Sequence, residues 1–200
     1  TLPDEFTNYQ RKHTIRDRQS KTGKCPWRSV VDLDPFFGIM AVEPPPEWGP
    51  VGTPEPRAFG GNMDNKDLRP GTTLYLPIYA EGALFSVGDG HGKQGHGEVC
   101  ITALETALTG TFRLTVRKDL EIAMPYAETE DWFLAMGFNM SLDEAAKQAV
   151  REMLKIVQAN TSMDRDDAYM LLSMVADLHV TQLVDINKGV HMILEKKYLP

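Results

Sequence analysis

The sequence predicts a mainly β fold with α additions: a β-sandwich-like core of antiparallel strands plus two C-terminal helices. Three features of the pattern predict it. Of the 29 glycines and prolines, 21 fall between Pro35 and Gly97, so turn formers cut this stretch into short apolar runs. Residues 111–117 alternate, with Phe112, Leu114 and Val116 on one face and Thr111, Arg113, Thr115 and Arg117 on the other. That period of two belongs to a half-buried antiparallel strand. Residues 141–200 are poor in both breakers and carry helical spacing.

Residues 1–56 are expected to form an N-terminal arm and a Pro-rich loop, and residues 57–200 the folded domain. The arm holds a basic cluster of Arg11, Lys12, Arg16, Arg18, Lys21 and Lys24. Residues 43–56, EPPPEWGPVGTPEP, exclude helix and central strand, because each proline fixes φ and removes a donor. The β core spans 57–140. Strands are expected over 72–80 and 83–87, with Glu81-Gly82 as their turn. Residues 98–108 fit strand or helix equally. Helices follow over 141–178. Ser141-Leu-Asp-Glu144 reads as a capping box. Behind it Leu142, Ala145, Ala149, Met153, Ile156 and Val157 recur at three- and four-residue spacing to about residue 159. Asp164 caps a second helix to about residue 178, with Ala168, Leu171, Leu172 and Val175 inward. Met153, Met170 and Met174 read as core gap-fillers. Terminal strands are expected over 180–186 and 190–194.

Composition excludes several classes. The 200 residues carry a formal net charge of −7, which argues against a dedicated nucleic-acid or anionic-membrane binder. No apolar run approaches the length of a membrane-spanning helix, and the first residues lack the pattern of a signal peptide. Two cysteines, Cys25 and Cys100, cannot staple a disulfide scaffold and read as buried or idle thiols. The default compartment is the cytoplasm.

Reactive groups are densest in Gly88–Glu98, GDGHGKQGHGE, where five of eleven residues are glycine. Glycine lets backbone approach a ligand closely. His91 and His96 offer imidazole nitrogen, while Asp89 and Glu98 offer carboxylate. Such a mixture suits zinc or a similar ion, which activates water or polarises a carbonyl. The bland alternative is a solvated glycine-rich turn with incidental histidines. The segment is not a phosphate loop, since it lacks the Gly-Lys-Ser/Thr ending. In Gly60–Asp67, GGNMDNKD, Asp64 could serve as a ligand or base folded against this loop; otherwise the stretch is an Asx-rich turn.

These two segments, with VCITALETA after them and VTQLVDINKGVHMIL near the end, resemble the acetamidase/formamidase family. That family is marked by Gly-Asn-Met-Asp, here Gly61–Asp64, and by Gly-Asp-x-His-x-x-Gln-Gly-x-Gly-Glu, here Gly88–Glu98. The resemblance runs from about Pro35 to the C-terminus. It implies a β-sandwich with helical additions and a metal-dependent hydrolysis of small amides to carboxylate and ammonia. It implies Asp89 and His91 as metal ligands, with Asp64 as a possible ligand or catalytic group and Glu98 as the general base; His96, which departs from the family pattern, is expected as a further ligand or as the mark of a changed substrate pocket. Asn62 and Gln94 become candidate substrate-binding residues, and the cofactor a divalent metal, zinc before calcium. Glu105 reads as strand-buried or as a support behind the ligands.

Two departures from the family pattern stand out. His96 occupies a position usually acidic, and the resemblance also implies a further N-terminal segment with a His-Pro-x-Thr-Gly-Pro-like motif that nothing here matches. A companion chain or segment is therefore expected, together with a homo-oligomer. Two other readings follow. Thr1 could act as an N-terminal nucleophile with its own amine as base, or the chain could be a non-catalytic small-ligand binder. His13, His179 and His191 match no catalytic motif and read as surface or core residues.

Overall fold

A computed structural model describes residues 1–2, 4–6, 14–17, 21–27 and 29–200. Part of the expected basic cluster (Arg11, Lys12 and Arg18) and His13 lie outside the described residues. Strands β1 (Thr14–Asp17), β2 (Thr22–Lys24) and β3 (Val30–Asp32) form a small antiparallel sheet. Next come β4 (Phe36–Ala41), β5 (Gly60–Asn62), β6 (Thr73–Tyr75) and β7 (Ser86–His91). After a long irregular stretch, β8 (Tyr126–Glu128) and β9 (Trp132–Asn139) lead into α1 (Leu142–Asn160) and α2 (Arg165–Val175). Strands β10 (Ala176–Gln182) and β11 (Lys188–Glu195) complete the chain's regular structure.

Two sheets and a helical layer build the core. The larger sheet has the order β10-β11-β9-β8-β6, the smaller β5-β4-β7, and every ladder in both is antiparallel. Side chains of a strand alternate between faces, and β9 uses both. Phe133 and Ala135 face Ala145, Ala149, Met153 and Val157 of α1. Leu134, Met136 and Phe138 face Met40 of β4 and Met63. The antiparallel, two-helix architecture expected from the sequence is therefore what forms.

Helix α1 starts as its cap dictates: the Ser141 hydroxyl accepts from the Glu144 amide at 3.4 Å. The Glu144 carboxylate instead takes Lys147, one turn on, at 2.6 Å. Gly137 lets the helix approach the sheet. A Cβ there would stand 2.7 Å from the Ala149 nitrogen and closer still to the Ala145 carbonyl, both rigid helix backbone. Gly137→Ala is expected to cost about 1–3 kcal/mol through overpacking, read as a lower urea midpoint at unchanged slope.

Several expectations change. Residues before 57 also contribute to the core, since β4 is the central strand of the smaller sheet and Met40 sits in the core. The Pro-rich loop makes one 3-10 turn, Pro46–Trp48. The strand over 72–80 shrinks to β6, where Pro77 beyond it can donate nothing to a ladder. The strand over 83–87 begins only at Ser86 but continues through the glycine-rich motif to His91. Residues 98–108 form neither strand nor helix; Glu105 alone bridges to His91. Residues 111–117 join no ladder among the described residues, and Leu114 and Val116 are exposed. Helix α2 ends at Val175 rather than residue 178, because β10 begins immediately after it. Met153 fills the core, but Met170 and Met174 are exposed on α2.

Candidate active site

The last residues of β7 and the loops around them gather an acidic cluster about one imidazole. Asp64, His91 and Glu98 are buried, as is Asp185 from the β10–β11 turn. Asp89 is half-buried, and Glu105 is exposed beside it. The backbone is bent to deliver three of these carboxylates. Asp64, Asp89 and Glu98 have φ of +46°, +56° and +41°, in the left-handed region that non-glycine residues seldom adopt and that clusters at functional sites. The Gly38 carbonyl accepts from both the Met63 and the Asp64 amides, which sets the Asp64 bend.

Gly38 also makes room for the cluster. A Cβ on it would lie 2.5 Å from Asp89 Oδ2 and closer still to Asp64 Oδ1. Asp185 is delivered by Gln182, whose buried Oε1 accepts from the Val184 and Asp185 amides at 2.8 and 3.0 Å. The glycine-rich segment is tied to the same hairpin. The Gly97 amide donates to the Thr181 carbonyl at 2.9 Å, and the Leu183 amide to the Gly97 carbonyl at 3.0 Å.

His91 is held from both sides. Its Nδ1 lies 2.8 Å from Gln94 Oε1, while Gln94 Nε2 donates to the Asp64 carbonyl at 2.7 Å. The Gln94 oxygen must accept, so Nδ1 carries the proton and Nε2 is the free nitrogen. Nε2 faces Asp89 Oδ2 at 3.1 Å and Glu105 Oε2 at 3.3 Å. An imidazole lone pair and two carboxylate oxygens repel unless a proton or cation lies among them. The spacings are close to the ~3.3 Å between ligands of a tetrahedral zinc with bonds near 2.0–2.1 Å. Buried Asp64 Oδ1, Glu98 Oε2 and Asp185 Oδ2 have no hydrogen-bond partner, a further mark of a site that suits a cation.

The electrostatics agree. Burial, the Asp185 hydrogen bond and the Glu98 charge push Asp64 far above the carboxylate range. Burial and the Asp185 charge raise Glu98, and burial raises Asp185. Asp89 goes down, held by the His91 hydrogen bond. Burial works against the charged His91 ring, but the hydrogen bond and charge of Asp89 and the charge of Glu105 outweigh it and push it up. Raised groups bind more protons folded than unfolded, so their stabilisation is present at low pH and lost as pH rises through their folded values. The metal-free protein is therefore expected to lose thermal stability above the ordinary carboxylate range and on through neutral pH. Added zinc should flatten that slope. Melting temperature against pH, with and without the ion, checks both.

The structure brings together Asp64, Asp89, His91, Gln94 and Glu98 of the expected site residues. Asn62 lies on β5 with its buried Oδ1 unpartnered. Gln94 is engaged at both ends, bracketing His91 rather than pointing free. His96 does not join Asp89 and His91: it groups with Asp67, His179 and His191. Sequence reasoning missed Asp185 and left the place of Glu105 open; only their nearness to the VTQLVDINKG and VCITALETA segments could have drawn notice. A cavity of about 250 Å³ opens beside the cluster, lined by Lys93, Gln94, His96, Glu98, Val99 and Thr102. A larger groove of about 390 Å³ between α1 and α2 holds no comparable constellation.

Known proteins resemble this chain in sequence and fold. The profile of the acetamidase/formamidase family matches residues 50–196. An acetamidase structure from Bacillus halodurans is 34% identical, with a TM-score of 0.83 over 89% of this chain and 60% of that one. An acetamidase from Yersinia enterocolitica is 29% identical, with a TM-score of 0.81 over 90% of this chain and 54% of that one. A formamidase from Methylophilus methylotrophus is 32% identical over 108 residues, 48% of this chain and 26% of its own. The chain thus spans less than two thirds of the length of these relatives. With the profile covering most of its length and the fold following theirs, the chain belongs to the acetamidase/formamidase family.

Proposed function

We propose that this chain carries the hydrolytic site of an amidase that splits small amides of the formamide and acetamide type into carboxylate and ammonia, with a divalent cation, zinc before calcium. The observation that supports it most is the convergence of His91 Nε2, Asp89 Oδ2 and Glu105 Oε2 beside three buried, unpartnered carboxylate oxygens. Those three side chains would hold the ion and leave a fourth position open, as catalytic zinc sites do. When bound, the ion supplies Lewis-acid polarisation and a more acidic water.

The chain's own groups supply the rest. Glu98 lines the cavity, and its raised proton affinity suits a general base near neutral pH. It takes a proton from water as the oxygen attacks the amide carbon. The carbon–nitrogen bond then breaks as that proton passes to the leaving nitrogen, giving ammonia and the carboxylic acid, which loses its remaining proton to solvent as the carboxylate. Asp64 and Asp185, both raised by burial, keep Glu98 in a crowded acidic field that favours its return to the protonated form. Gln94 fixes the His91 tautomer. A cavity of about 250 Å³ has room for a small amide beside Glu98.

The relatives' greater length supports a further segment in the working enzyme. We place it against the exposed apolar side chains of 99–116, namely Val99, Ile101, Leu114 and Val116. Among the described residues no helix is long and apolar enough to cross a membrane, and both cysteines are free thiols, which accords with the cytoplasm. Ammonia release from formamide and acetamide by the full-length protein tests the reading: activity lost on chelation and restored by zinc supports it, and unchanged activity after rigorous metal removal refutes the metal.

A further inference from the structure

His96, His179 and His191 sit together although they come from separate segments. His179 and His191 are cross-strand partners in the β10–β11 ladder. His96 comes from the glycine-rich segment, and Asp67 from the turn beyond β5. Ring centroids lie 4.4 Å apart for His96–His179, 5.1 Å for His179–His191 and 5.4 Å for His96–His191. One ligand atom from each of the four residues lies within 4.8 Å of the others.

We propose that Asp67, His96, His179 and His191 form a second metal site, distinct from the acidic cluster, that takes a zinc ion through three imidazoles and one carboxylate. The polar bonding here is incomplete without a cation. His191 is fully buried, and its Nδ1 lies 2.6 Å from the Thr181 hydroxyl. Its Nε2 stands 3.1 Å from Asp67 Oδ2, and both atoms are buried with no other partner. His179 Nδ1 and His96 Nε2 are 2.8 Å apart and can share only one proton. These 2.8 and 3.1 Å edges are slightly shorter than the ~3.3 Å between ligands of a tetrahedral zinc.

The surroundings fit as well. Outer contacts orient the ligands: Thr181 takes the far nitrogen of His191, and Lys66 and Arg69 reach Asp67 Oδ1 at 3.3 and 3.6 Å. Four protein ligands close the coordination shell, which is the structural rather than the catalytic pattern. The ion therefore staples the glycine-rich segment to the β10–β11 hairpin. It reinforces the Gly97–Thr181 and Leu183–Gly97 backbone bonds and so holds the loop that carries Gln94 and Glu98.

Zinc stoichiometry measures this directly. The full-length protein is stripped, dialysed against zinc and analysed by elemental mass spectrometry, alongside His96→Asn/His179→Gln and His91→Ala. Both His96 and His179 reach the surface, so the double variant keeps the buried core intact. Wild type is expected to hold two zinc ions per chain and the double variant one, with a smaller zinc-induced rise in melting temperature. His91→Ala should lose the other ion and keep this one. A double variant with the wild-type stoichiometry overturns the proposal, as does a wild type whose zinc is lost entirely in His91→Ala. Retention of two ions in His91→Ala counts against the acidic-cluster reading alone.

Discussion

Glu98→Gln is expected to slow amide hydrolysis by about 10²–10⁴-fold, the range seen when a positioned acid–base group is removed. The substitution keeps shape and hydrogen-bonding capacity but cannot accept a proton. Glu98 lines the cavity, and burial with the Asp185 charge raises its proton affinity. The loss should appear in kcat, with KM for acetamide little changed, because the missing step follows binding. Melting temperature should hold or rise, since one of several crowded carboxylates is gone. A variant with wild-type kcat would assign the base elsewhere, Asp64 first.

Gly38→Ala should cost about a hundredfold in activity while leaving the protein folded, because a displacement of about 1 Å at the reacting groups has that effect. The new Cβ would meet the ends of two flexible side chains rather than rigid backbone. Asp64 and Asp89 would swing aside, and β4 would survive. Gly137→Ala is the contrast: there the obstruction is helix backbone, so stability falls instead. Zinc titration by calorimetry should show weakened binding in Gly38→Ala and near-normal binding in Gly137→Ala.

What the pattern of residues could reveal depended on how local the cause was. The capping Ser141, the spacing of Ala145, Ala149 and Met153, and the reactive density of Gly88–Glu98 are local, and each was legible. Strand β9 was not read, because WFLAMGFN is buried on both faces and shows no alternation to find. Residues 111–117 mislead in the opposite sense, since alternation expresses a strand's two environments and no strand of the described residues pairs with them. The acidic cluster was half legible. Asp64, Asp89, His91 and Glu98 sit in two motifs, whereas Asp185 arrives through the Gln182-braced turn, a long-range contact with no local signature. His179 and His191 looked idle singly. They become neighbours only through the β10–β11 register, which also draws His96 away from Asp89 and His91.

The central claim is that His91, Asp89 and Glu105 gather a cation beside buried acids to break a carbon–nitrogen bond. An anomalous difference map from crystals of the zinc-loaded, active full-length protein tests it most directly. The account predicts a peak about 2.0–2.2 Å from His91 Nε2 and from a carboxylate oxygen of Asp89 and of Glu105. An active crystal with no peak there, and with those side chains turned apart, would contradict it.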